Sequence, residues 1–403
     1  MRSRAPFIFI IITVALDAMG IGLILPVMPE LIRELNGGGM SDAAIWGGLL
    51  AFSFALMQFL CGPLLGNLSD RFGRRPVLIN SLIFMGIDYL LMAIAPALWM
   101  LFIARIVAGI TAATHSTATA YLADLSAKGQ RAANFGLVGA AFGIGFILGP
   151  AIGGLLGELG PRAPFVAAGV LALANAAFGY FVLPETLPPE KRRRFEWRRA
   201  NPFAALMRVR RMAEVGGLMG ISFIYMISNY VYPVIWSYFT IERFGWSTGM
   251  VGLSLAAFGI CSAIVQGWLI RRLVAWWGDA RTAVFGLVMH IVGVAILSVL
   301  TSGVLVFVLM PITALGVVAG PALQGMMADR LPDDEQGELQ GVFASVTAVA
   351  TILSPLIMTW IFRSFTAADA PIYAPGAPFA AAGLLAVVAL ALLWRSRRRV
   401  APA

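Results

Sequence analysis

Four ionisable side chains lie inside long apolar stretches of this sequence, where a charge is costly. They are Asp17, Asp88, Arg105 and His290. If those stretches span a membrane, each charged group costs roughly 2.5–3.5 kcal/mol on insertion scales, so each is a candidate functional residue. A buried carboxyl group whose access to water changes can bind a proton on one side of a membrane and release it on the other. The four residues therefore predict proton coupling.

Each of these residues also has a structural interpretation. Asp17 and Asp88 either couple proton movement or recognise a cationic substrate, or they are buried hydrogen-bonding groups. Arg105 is either a partner that modulates a proton-carrying acid or a tie within a helix bundle. His290 ionises in the useful pH range, although a neutral, hydrogen-bonded histidine is the more common outcome. The sequence leaves these alternatives open.

The composition indicates that a membrane surrounds the elements that carry these residues. Of 403 residues, 60% are hydrophobic and only 12% are charged, about half the charged fraction of an average soluble protein. Segments of about 20 apolar residues can cross the hydrocarbon core. The first such segment is interpreted as a retained spanning helix and not as a cleaved signal peptide. Twelve spans are predicted, at 6–29, 44–65, 77–95, 98–121, 132–156, 164–183, 214–238, 247–270, 282–301, 303–326, 338–361 and 376–394.

Basic residues are distributed unevenly between the loops that join these spans. With both termini on one side, 24 of the 29 Lys and Arg residues lie on that side and four lie on the other. The positive-inside rule therefore predicts that both termini are cytoplasmic. Because the bases lie in short loops without interleaved aromatic residues, the net charge of +9 does not predict nucleic-acid binding.

One long polar segment separates six predicted spans from six. The predicted domains are therefore 1–183, a basic cytoplasmic linker at 184–213, and 214–403. The linker is interpreted as solvated chain near anionic headgroups, with a regulatory site as the alternative.

The two halves carry similar turn and helix-breaking residues at positions that are 205 residues apart. Several matches at one offset indicate a duplication, which is the organisation of secondary transporters. The offset pairs Phe72-Gly73 with Trp277-Gly278, Ala123-Asp124 with Ala328-Asp329, Gly136 with Gly341, and Gly149-Pro150 with Ser354-Pro355.

The most specific local pattern lies between the second and third spans, at Gly66-Asn67-Leu68-Ser69-Asp70-Arg71-Phe72-Gly73-Arg74-Arg75-Pro76. It is predicted to be a loop in which glycines permit close backbone approach, the acid caps or pairs with a helix end, and arginines anchor the chain at the surface. A loop that only fixes topology would need the arginines but not the ordered glycines and acid. The pattern resembles the signature loop of the major facilitator superfamily. The resemblance implies a gating role for Gly66, Asp70, Arg71, Gly73, Arg74 and Arg75; the second copy, 271–281, has Ala275 in place of the acid.

A second pattern lies in the fifth span, at Gly145, Gly149, Pro150, Gly153 and Gly154. Small residues four apart let helices pack closely in lipid, and a proline is expected to bend the helix. A general packing face is the alternative. The pattern resembles the motif of the superfamily's drug-exporting, proton-antiporting branch.

A closer resemblance extends over nearly the whole chain. Segments 17–29, 66–76, 87–91, 242–246 and 320–325 resemble the bacterial tetracycline efflux pumps. The resemblance implies an all-α membrane protein with twelve transmembrane helices in two pseudo-symmetric six-helix halves. It also implies exchange of a proton for a drug chelated to a divalent metal ion, with Asp17 and Gln58 near the substrate path and Asp88 in the third span.

The same resemblance implies the setting in which the protein works. We expect a multi-pass protein of the bacterial inner membrane that functions as a monomer on a small-molecule substrate. The proton gradient is the expected energy source, with no cofactor and no resident metal ion.

Two positions depart from the pattern of those pumps. Ile291 stands where they carry an acid in the ninth span, with His290 beside it, and Ser262 stands where they carry a histidine in the eighth. Either His290 substitutes as a proton carrier, or Asp17 and Asp88 carry the coupling alone.

Polar and aromatic residues inside the spans are candidates for the substrate cavity, because they suit a wide amphipathic ligand. Interhelical polar packing is the alternative for each of them. They are Gln58, Tyr225, Asn229, Tyr232, Trp236, Gln266 and Gln324, and they cluster best on the seventh span.

These features favour a proton-driven exporter of tetracycline-like or other amphipathic molecules that works by alternating access. The alternative is an exporter or symporter of a metabolite such as a sugar or an organic acid, which would require more charge in the cavity. No enzyme is predicted, because the two histidines stand 175 positions apart and no H-E-x-x-H, P-loop or G-x-S-x-G motif occurs. Cys61 and Cys261 are expected to be small buried hydrophobes.

Overall fold

The computed structural model describes residues 5–126, 130–197, 200–208, 212–332 and 334–400. Throughout these ranges the regular structure is helical, and no strand occurs in them. A helix satisfies its own backbone hydrogen bonds, which lipid cannot do, so a chain of this composition folds as spanning helices. Seven of the predicted surface bases lie outside the described residues, namely Arg2, Arg4, Lys128, Arg198, Arg199, Arg210 and Arg211.

The helices that precede the linker cover the first six predicted spans. A short 3-10 turn follows them at Pro189–Lys191. The helices are α1 (Ala5–Ile24), α2 (Met28–Asn36), α3 (Met40–Phe72), α4 (Arg74–Ile94), α5 (Leu98–Thr111), α6 (Thr114–Leu125), α7 (Arg131–Gly157) and α8 (Ala163–Val182).

The helices from the linker onward cover the remaining spans. A π-helical turn, Val265–Leu269, and a 3-10 turn, Gly316–Val318, interrupt them. The helices are α9 (Ala204–Arg208), α10 (Ala213–Asn229), α11 (Val231–Phe244), α12 (Thr248–Ile264), α13 (Ile270–Val299), α14 (Gly303–Leu315), α15 (Ala319–Ala328), α16 (Gln336–Ser364) and α17 (Ala377–Val400).

Eleven helical stretches of the described chain are long and apolar enough to cross a membrane. One of them, Thr248–Val299, has 52 residues, about twice the length that a bilayer requires. It contains two predicted spans, and its backbone leaves the helical conformation between them at Gly278, where φ is 72°. The stretch therefore accommodates two crossings, in agreement with the twelve predicted.

The chain divides into two compact units. Unit 1 consists of the residues up to Gly37, Ser53–Pro202 and Ser247–Ala256. Unit 2 consists of Gly38–Phe52, Phe203–Trp246 and the residues from Ala257 onward. Each unit thus includes one short segment from a helix that continues in the other, because α3 and α12 are each divided between the two.

In unit 1, α1 packs directly against the glycine-rich face of α7. A Cβ atom on Gly149 would lie 2.5 Å from the carbonyl oxygen of Met19 and 2.9 Å from the Cα atom of Gly22. Gly145 and Gly153, four residues to either side, face carbonyl oxygens of α1 in the same way. The glycines of the predicted motif therefore permit backbone contact between these helices.

In unit 2, the first turns of α3 pack against α16. A Cβ atom on Gly48 would lie 2.9 Å from the Cγ2 atom of Thr359. An exposed ion pair joins Arg363 to Asp42 at 3.3 Å. The rest of the unit surrounds a core formed by α10, α13, α15, α16 and α17.

Positions related by the 205-residue offset adopt matching local structures. Gly73 and Gly278 both have positive φ, at 110° and 72°. Pro150 lies inside α7, and Pro355 lies inside α16. The correspondence predicted from the sequence is therefore also present in the backbone.

Two local expectations are wrong. The segment from Gly66 to Phe72 is not a loop, because α3 continues through it and Gly73 alone separates α3 from α4. Cys61 and Cys261 are half-buried free thiols and not fully buried, although Cys261 packs against a core cluster of unit 2.

Candidate functional site

Asp88 and Arg105 form a buried ion pair in unit 1. Asp88 lies on α4 and Arg105 on α5, and Arg105 Nη2 donates to Asp88 Oδ2. The guanidinium of Arg105 also lies over the ring of Phe54, 5.4 Å from its centroid. Arg105 is therefore at once the partner of a membrane acid and a tie between two helices.

This ion pair is not fully hydrogen-bonded. The structure gives no hydrogen-bond partner to Asp88 Oδ1 or to Arg105 Nε among the described residues. Buried polar atoms normally have partners. One carboxylate oxygen of Asp88 thus remains available for a proton.

Asp17 belongs to the same region of unit 1 but has a different environment. It is buried on α1, and no ion pair in the described part of the chain includes it. Tyr89, next to Asp88 on α4, is buried, and a Cβ atom on Gly20 of α1 would lie 3.0 Å from its hydroxyl. Tyr89 therefore packs α4 against α1 at a position three residues from Asp17.

Tyr89 was not among the predicted site residues. The sequence feature that could have identified it is its position next to an acid in the middle of a span. Tyrosine is also the residue type whose buried hydroxyl usually needs a hydrogen-bond partner.

His290 is buried in unit 2 and hydrogen-bonded. Its Nε2 lies 2.7 Å from the hydroxyl of Ser228, and that hydroxyl donates to the carbonyl oxygen of Ala382 at 2.7 Å. A serine hydroxyl has one proton to donate, so Nε2 carries the hydrogen in its contact with Ser228. The structure thus joins α10, α13 and α17 through a hydrogen-bonded histidine. Ser228 was not among the predicted site residues.

Aromatic side chains surround His290. Tyr225 and Tyr232 meet its ring edge-on, with centroids 5.5 and 5.9 Å away. Tyr232 also stacks on Phe258 at 5.5 Å and lies 6.3 Å from Trp236. Three predicted cavity residues, Tyr225, Tyr232 and Trp236, therefore gather around the histidine in one unit.

The polar atoms of this aromatic cluster differ in their partners. Tyr225 donates to the carbonyl oxygen of Gly316 at 3.0 Å. The hydroxyl of Tyr232 is buried and has no partner among the described residues.

The other predicted cavity residues lie elsewhere. Gln58 and Gln266 are exposed, and Asn229 is half-buried. Gln324 donates to the side chain of Gln340 at 2.7 Å, an exposed contact between α15 and α16. The structure does not bring these four into the aromatic cluster.

The predicted gating motif forms a charge network at the junction of α3 and α4. Arg74 pairs with Asp70 at 2.6 Å and with Asp124 at 3.4 Å. Arg75 donates to the carbonyl oxygen of Tyr180 at 2.6 Å, whereas Arg71 is exposed beside Phe72. Asp70 thus pairs with a basic residue, one of the two roles predicted for it.

The two glycines of this motif differ. Gly73 has a φ of 110°, and a Cβ atom there would lie 2.7 Å from the carboxyl carbon of Glu185. At Gly66 no atom lies within 4 Å of such a Cβ. The expectation of close backbone approach therefore holds at Gly73 and is wrong at Gly66, which lies in open space on α3.

Glu185 is a member of this network that the sequence analysis missed. It lies three residues after the end of α8, and its carboxylate accepts the amide hydrogens of Arg74 at 2.9 Å and of Arg75 at 3.3 Å. A carboxylate at a helix N-terminus is stabilising. The sequence feature that could have identified Glu185 is an acid at the start of a linker with a net positive charge.

Within the described residues, no cluster of three or more His, Cys, Asp or Glu side chains is placed to hold a metal ion.

The sequence of this chain matches the model of a known protein family. The family model of the Major Facilitator Superfamily matches residues 10–321 and 218–403. The chain belongs to the major facilitator superfamily. As a member of this superfamily it is a multi-pass membrane transporter for a small-molecule substrate and not an enzyme, as predicted.

Similarity to individual superfamily members extends over most of the chain. The tetracycline resistance protein, class C, of Escherichia coli is 43% identical over 364 residues, which cover 90% of this chain and 91% of that protein. The class G protein of Vibrio anguillarum is 40% identical, with the same coverage of each chain. The crystal structure of the human organic anion transporter MFSD10 is 24% identical over 98% of this chain and 100% of its own, with a TM-score of 0.70. This last likeness shows the shared fold.

Proposed function

We propose that this superfamily member is a proton-driven exporter of tetracycline-like or other amphipathic drugs. The observation that carries the proposal is its 43% identity, over nine-tenths of the chain, to a tetracycline resistance protein. The buried acids on α1 and α4 supply groups that can couple export to protons. We place the protein in the bacterial inner membrane, with both termini in the cytoplasm and function as a monomer.

The proposed coupling uses the two acids of unit 1 in alternating access. Asp17 has no basic partner in an ion pair of the described chain, whereas Asp88 is held by Arg105. A proton that binds Asp88 weakens its attraction to Arg105, because the ion pair then loses one charge. Proton binding from outside thus changes a helix-to-helix contact, and proton release inside restores it.

The proposed recognition of the drug uses the aromatic cluster of unit 2. Tyr232 and Trp236 offer broad apolar faces, and the unpartnered hydroxyl of Tyr232 offers a hydrogen bond. Wide amphipathic ligands bind through this combination of surface area and a few polar contacts. His290, held by Ser228, is the nearby group that can replace the missing acid of the ninth span.

The deciding experiment measures drug accumulation in inverted membrane vesicles driven by a proton gradient. Tetracycline is tested with Mg²⁺, since a chelated divalent ion would be part of the substrate. We expect Asp17→Asn and Asp88→Asn each to lower accumulation at least about tenfold, the scale of a lost essential ionisable group. The matched control is Asp369→Asn, an exposed acid in the 365–376 segment, which should transport normally. Unchanged accumulation in both Asp17 and Asp88 variants would refute the mechanism.

A second assay separates coupling from substrate recognition. Counterflow exchange of labelled for unlabelled drug needs binding but no gradient. A variant that loses only coupling keeps counterflow, whereas one that loses recognition of the substrate loses both activities. The assay therefore decides between the two functional roles predicted for Asp17.

A metabolite exporter or symporter is the second candidate, and two substitutions favour it. Ile291 and Ser262 stand where the sequence resemblance to tetracycline pumps leads one to expect ionisable groups. Flux measured in proteoliposomes under an imposed pH gradient distinguishes the candidates. Movement of a sugar or organic acid with protons, and none of tetracycline against them, would establish a symporter.

A further inference from the structure

The first part of the linker, residues 184–197, is bonded to the gating motif; we call it the linker strap. At its start, Glu185 accepts the backbone amides of Arg74 and Arg75 in the first turn of α4. The carboxyl carbon of Glu185 also lies close to the backbone of Gly73. The strap therefore begins as a cap on α4.

The strap is bonded to α3 at two more points. The amide of Arg193 donates to the carbonyl oxygen of Asp70 at 3.1 Å. The side-chain amide of Asn67, which is buried, donates to the carbonyl oxygen of Glu196 at 2.8 Å. Both partners on α3 belong to the gating motif. The position of the strap backbone is thus tied to the junction of α3 and α4.

The opposite side of the strap is basic and exposed. Its bases from Lys191 to Arg194 are consecutive and exposed. Trp197 is 78% exposed and meets Phe195 edge-on at 5.0 Å. Over the whole linker, 184–213, nine bases against three acids leave a net charge of +6.

The position of the strap along the membrane normal follows from the helices that hold it. The sixth span ends at Val182, two residues before the strap begins. It is bonded to the last turns of α3, where polar residues continue the helix beyond the apolar span, and to the start of α4 at Arg74. The exposed bases and Trp197 therefore lie just beyond the apolar spans, in the region of the lipid headgroups.

We propose that the linker strap binds the headgroups of anionic phospholipids and that this binding orders the gating motif. Basic side chains attract anionic headgroups, and tryptophan is favoured at the membrane interface. Lipid that immobilises the strap also immobilises Asp70 and Asn67, because the strap backbone is hydrogen-bonded to both. Free phosphate could satisfy the bases but would leave Trp197 without an apolar contact. The proposal does not depend on the identity of the drug or on proton coupling.

The first experiment measures which lipids the purified full-length protein retains. Native mass spectrometry follows release from mixtures of phosphatidylglycerol and phosphatidylcholine. We expect the wild type to retain phosphatidylglycerol preferentially and the variant Lys191→Gln/Arg193→Gln/Arg194→Gln to lose that preference about tenfold, since three bases leave the surface. The matched control, Arg271→Gln/Arg272→Gln/Arg281→Gln, removes three exposed bases of the second half. An unchanged preference in the strap variant, or an equal loss in the control, would overturn the proposal.

The second experiment tests the link to the gating motif by hydrogen exchange in nanodiscs. Adding phosphatidylglycerol to phosphatidylcholine should slow exchange of the amides of Arg74, Arg75 and Arg193 in the wild type and not in the triple strap variant. The same slowing in both proteins would show that the strap does not mediate it. Inorganic phosphate added to phosphatidylcholine nanodiscs should have no effect, and equal protection by phosphate would exclude the lipid assignment.

A single substitution provides a test that remains valid if the triple variant does not fold. Arg194→Gln removes one exposed base for which the described chain shows no ion pair. It should fold as the wild type in a thermal unfolding scan and lie between the wild type and the triple variant in lipid preference. A wild-type lipid preference in this variant together with a misfolded triple variant would count against the proposal.

Discussion

At the scale of single residues, the ion pair of Asp88 with Arg105 is the most consequential contact. Both side chains are buried, so each charge lacks water. Taking a charge out of water is expensive, and its partner repays that cost only while both are present. Removing one partner should therefore cost far more than removing an exposed ion pair.

We expect Arg105→Gln to lower the free energy of unfolding by about 3–5 kcal/mol, because it leaves the charge of Asp88 uncompensated. The double variant Asp88→Asn/Arg105→Gln should regain much of this loss, since no buried charge remains. Thermal unfolding of purified protein in detergent measures both effects. The control is Arg363→Gln, which breaks the exposed pair with Asp42 and should cost about 0–1 kcal/mol. Equal losses in Arg105→Gln and Arg363→Gln would contradict this account.

At the scale of elements, the contact between α1 and α7 depends on the absence of side chains. Gly149 faces Met19 and Gly22 on α1, but Gly143, on the same helix, has no atom within 4 Å of a would-be Cβ. One added methyl group therefore meets backbone at the first position and open space at the second. Replacing each glycine by alanine therefore compares the stability effect of a methyl group at a packed position and at an open one.

Gly149→Ala should destabilise the protein by about 1–3 kcal/mol, the usual cost of overpacking. Gly143→Ala should be neutral or stabilising by about 0.5–1 kcal/mol, because alanine is the better helix former. Thermal unfolding of the two variants in the same detergent gives the comparison. A destabilised Gly143→Ala beside a normal Gly149→Ala would show that the packing face of α7 is assigned wrongly.

A second contact between elements, made by hydrogen bonds of Glu158, joins α7 to α12 within unit 1. Glu158, just after α7, accepts the amide of Gly249 at 2.7 Å and the hydroxyl of Thr248 at 3.4 Å. Hydrogen bonds from Ser247, Gly249 and Thr248 hold the pKa of the Glu158 carboxyl below its ordinary value of 4.5, against an opposing effect of desolvation. The carboxylate therefore caps the start of α12 in its charged form.

This cap predicts a pH dependence whose sign follows from the lowered pKa. The charged carboxylate is favoured in the folded state, so its contribution is present above pH 4.5 and is lost as the pH falls through the lowered pKa. Glu158→Gln should therefore unfold at a lower temperature than the wild type near neutrality, and the difference should shrink in acid. Thermal unfolding across this pH range tests it, with Glu190→Gln as the control for an exposed acid. A difference that grows on acidification would contradict the cap.

At the scale of the whole molecule, the two halves share a backbone pattern but not its charges. Arg74 bridges Asp70 and Asp124 in the first half. The offset of 205 residues places Ala275, Asp279 and Asp329 at the corresponding positions. Among the described residues, the corresponding charged network is present in the first copy and has lost its first acid in the second.

The uneven distribution of bases predicts a definite topology. Green fluorescent protein fused after Arg194 or after the C-terminal Ala403 should fluoresce, because both positions are predicted to be cytoplasmic. Alkaline phosphatase should be active when it is fused after Pro161, in the loop between α7 and α8. Phosphatase activity at the C-terminal fusion would reverse the predicted orientation.

Much of the fold and part of the site could be predicted from particular residues. Hydropathy located the spans, and an acid or a histidine within an apolar run identified Asp17, Asp88 and His290. Sequence patterns could at most point to Tyr89 and Glu185 and gave no sign of Ser228, because the contacts of all three are with helices that are distant along the chain. The loop predicted at Gly66–Phe72 was wrong because the polar residues there continue a helix beyond the apolar span.

Hydropathy and charge are local properties, so the amino-acid sequence established membrane residence, the twelve spans, the duplication and the short list of membrane-depth charges. Contacts between helices depend on how those helices pack. Only the tertiary structure could pair Asp88 with Arg105, place His290 against Ser228 and fasten Glu185 to α4. The physical reason is that lipid accepts any apolar helix surface, whereas a buried polar atom requires one particular partner.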